Sequence, residues 1–203
     1  MEPARIGDAI GHLGAVVFSP ADVMIVNEGP AGRRRFLDIV LSLNQEGYLR
    51  SLQEFRHVLG QRNAALRSGR SDSEIRAWDD ALARRAAPVM SARHRWVTQW
   101  REAFRGYYEA VSGGSSASMT YEPKVAVAEW EEEAVYQACL AALQEGWSRD
   151  VRRRSTGVGP HRDELRFALT DDESEVEMRQ FGSGGQVRTA ALALRLVEGD
   201  AVR

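Results

Sequence analysis

The apolar positions of the chain repeat mostly at the spacing of amphipathic helices. They predict a helix over residues 31–43, a long helix that begins after Gly47 and a second long helical stretch over 73–111. Glycine and polar residues at 69–72 separate the two long segments, so we expect these to pack as an antiparallel helical arm. We expect Pro88 to kink or split the second one. The residues predicted to form the apolar seam of the arm are Tyr48, Leu52, Phe55, Leu59, Leu66, Ile75, Trp78, Leu82, Val89, Trp96, Trp100, Phe104 and Tyr107.

Shorter β-branched or alternating stretches predict strands on both sides of this arm. The predicted strands are a buried strand over 13–18, a short strand over 118–121, and a hairpin built from 165–169 and a return strand with Val176 and Met178 around an acidic turn at 171–173. Further helices are expected over 129–144 and 187–198. The predicted fold class is therefore mixed α/β.

Charge is distributed unevenly along the 203 residues, although the net charge is only −2. Residues 31–105 hold 15 arginines against 8 acidic residues, whereas 106–203 hold 11 basic residues against 17 acidic ones. A basic helical segment is what contact with a DNA backbone requires, but a salt-bridged helix surface explains the same residues equally well. No segment has the apolar length that a bilayer demands and no signal peptide is recognised, so we expect a cytoplasmic protein without membrane contact.

The loop that precedes the last predicted helix carries the clearest chemical signal. Residues 181–186, Phe-Gly-Ser-Gly-Gly-Gln, are called the signature loop below. Ser183 is a good N-cap, and Gln186 three residues later completes a capping box. Glycines let a ligand approach the backbone, and the free N–H groups of a first helical turn attract anions. The order Ser-x-Gly-Gln resembles the signature motif of ABC-type ATPases, while an ordinary glycine-rich helix cap is the plainer interpretation.

Other catalytic patterns fail on the sequence itself. A Walker A loop needs Gly-x-x-x-x-Gly-Lys-Ser/Thr, and the only lysine, Lys124, lies outside any glycine loop. The stretch 167–173 superficially imitates Walker B, but it precedes the signature loop and the hairpin turn explains its acids. The four histidines lack metal-ligand spacing, so we expect no metal site. The single cysteine, Cys139, is predicted to be a buried core residue.

Several blocks in series resemble the bacterial DNA replication and repair protein family RecF. They are Val-Val-Phe-Ser-Pro-Ala-Asp at 16–22, Gly-Pro at 29–30, Arg-Arg-Arg-Phe-Leu-Asp at 33–38, Tyr-Leu at 48–49, Gln-Arg-Asn at 61–63, Trp-Asp at 78–79, Ser-Thr-Gly-Val-Gly-Pro-His-Arg-Asp-Glu-Leu at 155–165, and the signature loop with its helix. The blocks follow the family's order and extend from about residue 13 to residue 203. Each is a weak motif, but the series is specific.

This resemblance implies part of an ABC-type ATPase head, related to SMC heads, with an inserted helical arm. It divides the chain into ATPase core over 1–45, helical arm over 46–111 and a return to the core over 112–203. Proteins of this family are ATP- and Mg²⁺-dependent homodimers and weak ATPases. They bind double-stranded DNA and single/double-strand junctions, and they act with RecO and RecR to load RecA in recombinational repair of DNA damage, within the SOS response.

The resemblance also assigns roles to individual residues. Ser183, Gly184, Gly185 and Gln186 are expected to contact ATP held by the opposite subunit. Ser19 and Asp22 fall in the Q-loop region, where the family usually has glutamate at the position of Ala21. His161 and Arg162 are expected on the nucleotide side or at an interface. Arg33, Arg34 and Arg35 are candidate DNA or phosphate contacts, and the rival interpretation pairs these arginines with Asp38 and the acids of the second half.

No catalytic residue is expected in this chain, because it lacks both Walker motifs. We therefore expect an internal fragment of such a protein, which by itself needs no cofactor, hydrolyses no ATP and binds ATP weakly. The competing hypothesis is a non-enzymatic helical protein–protein interaction module with a degenerate ATPase remnant. The two differ in whether the missing motifs flank the chain.

Overall fold

Helices make up most of the fold. The computed structural model describes residues 16–170 and 174–201. After a 3₁₀ turn at Pro20–Asp22, the helices in this described part are α1 (Val23–Asn27), α2 (Pro30–Asn44), α3 (Tyr48–Arg67), α4 (Asp72–Arg76), α5 (Asp79–Ser112), α6 (Glu132–Glu145), α7 (Trp147–Arg153), α8 (Met178–Phe181) and α9 (Gly184–Ala201). The strands there are β1 (Ser116–Glu122), β2 (Glu164–Thr170) and β3 (Glu175–Glu177). The mixed α/β class is confirmed.

Helix α5 is the centre of the packing. It contacts β1, α6, α3 and α9, which bury it on several sides. Of the seam predicted for the arm, Tyr48, Leu52, Phe55, Leu66, Ile75, Leu82, Val89, Trp96 and Phe104 are buried, and Leu59, Trp78, Trp100 and Tyr107 are partly buried. The helical periodicity therefore identified the core-facing side of both long segments correctly.

The antiparallel packing of α3 and α5 is visible in three side-chain pairs. Tyr48 contacts Arg93 at 3.1 Å, Glu54 contacts Arg85 at 2.9 Å, and Arg62 contacts Asp79 at 2.8 Å. As the residue number rises along α3, the number of its partner on α5 falls, so the two helices run antiparallel. However, one hydrophobic cluster joins residues of all three predicted segments, including Val26, Phe104 and Leu194. The division into core and arm stays a prediction.

Of the two predicted effects of Pro88, the split of the second helix is wrong, and the kink stays a prediction. Helix α5 runs without interruption from Asp79 to Ser112 with Pro88 inside it. A proline there removes one backbone hydrogen bond, at a cost of about 3 kcal/mol. The neighbours Ala87 and Val89 are buried against the core and offset that loss. The break lies instead before Asp79, where α4 ends and α5 begins.

The sheet is antiparallel, in the order β1–β2–β3. Ser116 pairs with Thr170 and Glu122 with Glu164, which sets the register of β1 and β2. The hairpin of β2 and β3 is confirmed, and its acidic turn at 171–173 lies outside the described residues. Met178 was expected in the return strand, but it opens α8. The strand predicted over 13–18 is not found at residues 16–18, and 13–15 lie outside the described residues.

Candidate phosphate-binding sites

The signature loop forms the capping box that its sequence predicts. The backbone N–H of Ser183 donates to Oε1 of Gln186 at 2.7 Å, and the N–H of Gln186 donates to Oγ of Ser183 at 3.3 Å. These reciprocal bonds fix the start of the 18-residue helix α9. Ser183, Gly184 and Gly185 are exposed. The first N–H groups of a long helix therefore point to the surface with the positive end of its dipole.

The three glycines of this loop serve different purposes. A Cβ at Gly182 would lie 2.5 Å from the carbonyl oxygen of Met178, so the turn into the loop excludes a side chain there. A Cβ at Gly184 would meet nothing within 4 Å, and one at Gly185 would make ordinary contact with Ser183 Oγ at 3.9 Å. Neither of these two has a positive φ. The fold itself therefore gives no reason for glycine at 184 and 185.

The Q-loop-like turn is tied to the helix of the signature loop. The N–H of Ser19 donates to Asp22 Oδ2 at 2.7 Å, and Arg195 of α9 donates to Asp22 Oδ1 at 2.5 Å. Burial by itself raises the pKa of the Asp22 carboxyl, but the hydrogen bonds from Arg195 and Ser19 outweigh it and leave that pKa below its ordinary value. Both carboxylate oxygens are thus engaged within the chain. A nucleotide contact of Ser19 or Asp22 stays a prediction.

The three consecutive arginines of α2 have different surroundings. Arg33 is 3% exposed, forms a two-pronged ion pair with Glu164 at 2.7 and 2.9 Å, and donates to two backbone carbonyls. Four of its five N–H donors are thus engaged inside the fold, which disfavours a DNA or phosphate contact by Arg33, and that contact stays a prediction. Arg34 is half-buried and donates to the carbonyl oxygen of Asp163 at 2.8 Å. Arg35 is exposed.

The Gly-Pro-His-Arg-Asp segment forms a hydrogen-bonded turn just before β2. His161 Nε2 lies 3.1 Å from the carbonyl oxygen of Thr156, and Arg162 Nε donates to the same oxygen at 3.2 Å. Burial lowers the pKa of His161 to about 4, so the imidazole is neutral at pH 7. Asp163 is fully buried and accepts from the Tyr121 hydroxyl and the Lys124 N–H.

Next to this turn lies an open cleft of about 670 Å³, called the basic cleft below. It is lined by Gly29, Pro30, Ala31, Arg34, Lys124, Arg153, Ser155, Gly157, His161 and Arg162. The sequence reasoning included Arg34, His161 and Arg162, but it missed Lys124 and Arg153. The run of three arginines at 152–154 was the available signal for Arg153. Lys124 was considered only as a Walker lysine, and the sequence does not show that it lines one cleft with residues of α2.

Residues from three of the family-like blocks, at 61–63, 78–79 and 155–165, meet in a buried network of hydrogen bonds. Arg62 is fully buried and donates to Asp79 and Asp150 at 2.8 Å each, and to the Thr156 hydroxyl at 2.8 Å. The side chain of Asn63 accepts from the N–H and the hydroxyl of Thr156, both at 2.8 Å. The series of weak motifs along the chain thus marks one structural junction.

Comparison with known proteins gives a consistent result. No protein-family model matches the chain. The DNA replication and repair protein RecF of Gloeobacter violaceus is 37% identical over 197 residues, which are 94% of this chain and 52% of that protein. RecF of Streptococcus thermophilus is 33% identical over 201 residues, 98% of this chain and 53% of that protein.

Solved structures agree with these relatives. The RecF–ATPrS structure of the recombination mediator RecF in the RecFOR pathway has a TM-score of 0.85 and 28% identity, over 92% of this chain and 50% of that one. This chain belongs to the RecF family. Its fold is accordingly part of an ABC-type ATPase head, and its family is one of DNA replication and repair. The RecF–ATP structure matches equally, with a TM-score of 0.83 and 28% identity.

The chain spans about half the length of the curated RecF relatives it matches. Across residues 16–170 and 174–201, no helix combines the length and apolar character needed to cross a membrane. The same described residues contain no group of three or more histidine, cysteine or acidic side chains placed to hold a metal ion.

Cys139 is buried as predicted, and burial raises the pKa of its thiol to about 12.

Proposed function

We propose that this chain is the signature-loop half of a RecF-type ATPase, and that residues 183–186 contact the triphosphate of ATP held by a second subunit. The pair Gly184 and Gly185 carries this proposal. Glycine in the first turn of a helix costs up to about 1 kcal/mol relative to alanine. Neither packing nor backbone conformation requires glycine at these two exposed positions. Close approach of a ligand to the backbone explains them.

The capping box leaves the right groups for an anion. As the first residues of α9, Gly184 and Gly185 have N–H groups without an acceptor inside the helix. The Oγ of Ser183 accepts from Gln186, so its own O–H remains to donate. Donors held in place in this way would stabilise charge on a γ-phosphate. The RecF structures solved in complex with ATP and ATPrS support a nucleotide ligand.

The role of the whole protein follows from the family. We infer an ATP- and Mg²⁺-dependent homodimer in the cytoplasm, with weak ATPase activity, that binds duplex DNA and junctions, with RecO and RecR as partners in loading RecA. The relation to the RecFOR pathway supports these partners. The chain alone supplies the signature side of each ATP site, so we expect the isolated chain to turn over no ATP.

A chimera tests the signature-loop role. These 203 residues would replace the matching half of Gloeobacter violaceus RecF. We expect the chimera to dimerise when ATP is added, as measured by analytical ultracentrifugation. Ser183→Arg should abolish that dimerisation, because the side chain fills the space left for phosphate.

Ser148→Arg is the matched control, since Ser148 is exposed on α7 and does not belong to the signature loop. A folded chimera that dimerises equally well with ATP and Ser183→Arg would refute the role. The interaction-module hypothesis instead predicts partner binding that is indifferent to both ATP and Ser183.

A further inference from the structure

The basic cleft concentrates positive charge in a protein whose net charge is −2. Four cationic side chains line it, from Arg34, Lys124, Arg153 and Arg162, and no carboxylate is among the lining residues. They come from α2, the segment after β1, the end of α7 and the turn before β2. Four separate parts of the chain therefore place cations around one opening.

These cations keep free donors. Lys124 and Arg153 are exposed, and neither side chain has a hydrogen bond or ion pair within the described part of the chain. Arg34 uses one Nη for the carbonyl oxygen of Asp163, and Arg162 uses its Nε for that of Thr156. Since a guanidinium has five N–H donors, both retain several for a ligand.

The nearest acids, Glu164 and Asp163, offset the positive charge of Arg34 only in part. The carboxylate of Glu164 is held by Arg33, and that of Asp163 accepts from Tyr121 and the Lys124 N–H. Burial lowers the pKa of Arg34, and the nearby charge of Arg93 lowers it further. The fold thus holds a positive charge where its surroundings disfavour one. A bound anion would offset that cost.

The positive surface continues beyond the cleft. An adjoining hollow of about 200 Å³ shares Ala31, Arg34 and His161 with it. It adds Arg35, Arg56 and Arg93, together with the carboxylate of Asp38, which pairs with Arg56 and Arg93. Arg35 is exposed and has no ion pair in the parts of the chain described here. Cations in series suit a ligand with phosphates in series.

We propose that the basic cleft and its adjoining hollow bind the phosphodiester backbone of DNA, at a site separate from the signature loop. The inference rests on the proposed DNA-binding role of this family and locates the surface that performs it. None of the residues lining the two hollows belongs to residues 181–186. Backbone contacts by arginine and lysine confer affinity without base specificity.

The test compares two pairs of substitutions in the 203-residue chain. Lys124→Gln with Arg153→Gln removes two cleft cations, and Arg67→Gln with Arg101→Gln removes two exposed cations elsewhere. Binding of a fluorescein-labelled DNA duplex is followed by anisotropy over a range of salt concentrations. We expect the cleft pair to weaken binding on the order of tenfold or more and to reduce the salt slope by about 1.8. The control pair should leave the DNA affinity and the salt slope close to those of the wild-type chain.

Three outcomes would overturn the proposal: no salt-dependent binding by the wild-type chain, equal losses in both pairs, or displacement of DNA by inorganic triphosphate at equal phosphate concentration. The last would indicate a site for small phosphates instead of a polymer backbone. Far-UV circular dichroism checks folding, which the exposed cleft pair should preserve. Dimerisation of the Ser183→Arg chimera is a separate readout, so failure here would leave the nucleotide proposal standing.

Discussion

Gly182 and Gly184 lie two positions apart, but they differ in whether the fold leaves room for a side chain. A side chain at Gly182 would collide with the carbonyl oxygen and Cγ of Met178, at 2.5 and 2.9 Å. A side chain at Gly184 would enter open space. The first glycine is therefore a requirement of the fold, and the second costs stability that only a ligand explains.

Alanine substitution should separate the two. We expect Gly182→Ala to lower the free energy of unfolding by about 1–3 kcal/mol, because the loop must shift to admit a Cβ. Gly184→Ala should leave it unchanged or raise it by up to about 1 kcal/mol. Urea unfolding of both variants measures this. Gly184→Ala should nevertheless weaken ATP-dependent dimerisation of the chimera, and equal destabilisation by both substitutions would contradict the argument.

At the residue scale, contacts between near neighbours in the sequence can be predicted, whereas contacts between distant residues cannot. Ser183 and Gln186 are three positions apart, so a capping rule predicts their bond from sequence. Arg33 pairs with Glu164, 131 positions away, and no local rule identifies that partner. The sequence therefore could not show that Arg33 is engaged inside the fold.

Among the elements, Arg62 is the residue that joins most of them. Its buried guanidinium connects α3 with Asp79 at the start of α5 and Asp150 of α7. Two carboxylates depend on this one cation in a place without solvent. Breaking a buried ion pair from one side leaves an uncompensated charge and typically costs about 3–5 kcal/mol.

Arg62→Met should therefore lower the free energy of unfolding by about 3–5 kcal/mol at neutral pH. Arg56→Met is the matched control, since its side chain is 61% exposed although it pairs with Asp38 at 2.9 Å. An exposed pair contributes at most about 1 kcal/mol. Urea denaturation of the two variants measures these free energies of unfolding. A loss of stability no larger for Arg62→Met than for Arg56→Met would show that the buried network contributes little to stability.

The helices were predictable where the apolar period was long. The structure places α2 and α6 close to the predicted segments 31–43 and 129–144, and α3 begins after Gly47 and ends before 69–72, as predicted. The predicted break at Pro88 failed because packing of the surrounding helix offsets one missing hydrogen bond. The predicted strand over 13–18 failed at its described end, because a strand needs a hydrogen-bonding neighbour that periodicity cannot supply.

For the whole molecule, the hydrophobic cluster is the relevant unit. It includes Val26, Phe104, Phe167 and Leu194, which lie in all three predicted segments of the chain. Residues that share one core lose their contacts together when any part opens. The helical pair α3 and α5 should therefore not unfold independently of the sheet.

We expect urea unfolding of the chain to give one transition, with coincident curves from far-UV circular dichroism and tryptophan fluorescence. Native-state hydrogen exchange should give amides of the β1–β2 ladder and of α3 similar protection. Two separate transitions would instead support a helical arm at 46–111 that folds as its own unit.

The sequence by itself determined what depends on near neighbours and on order: the helical periods, the capping box at Ser183, the absence of a Walker A loop, and the motif series that marks the family. Only the tertiary structure decided which charged side chains form ion pairs within the fold and which do not. Arg33 and Arg62 are paired inside the fold, whereas Lys124 and Arg153 line one cleft with residues of α2 and have no ion pair within the described residues. The physical reason is that electrostatic and packing partners are set by distance in space, and these partners lie far apart along the chain.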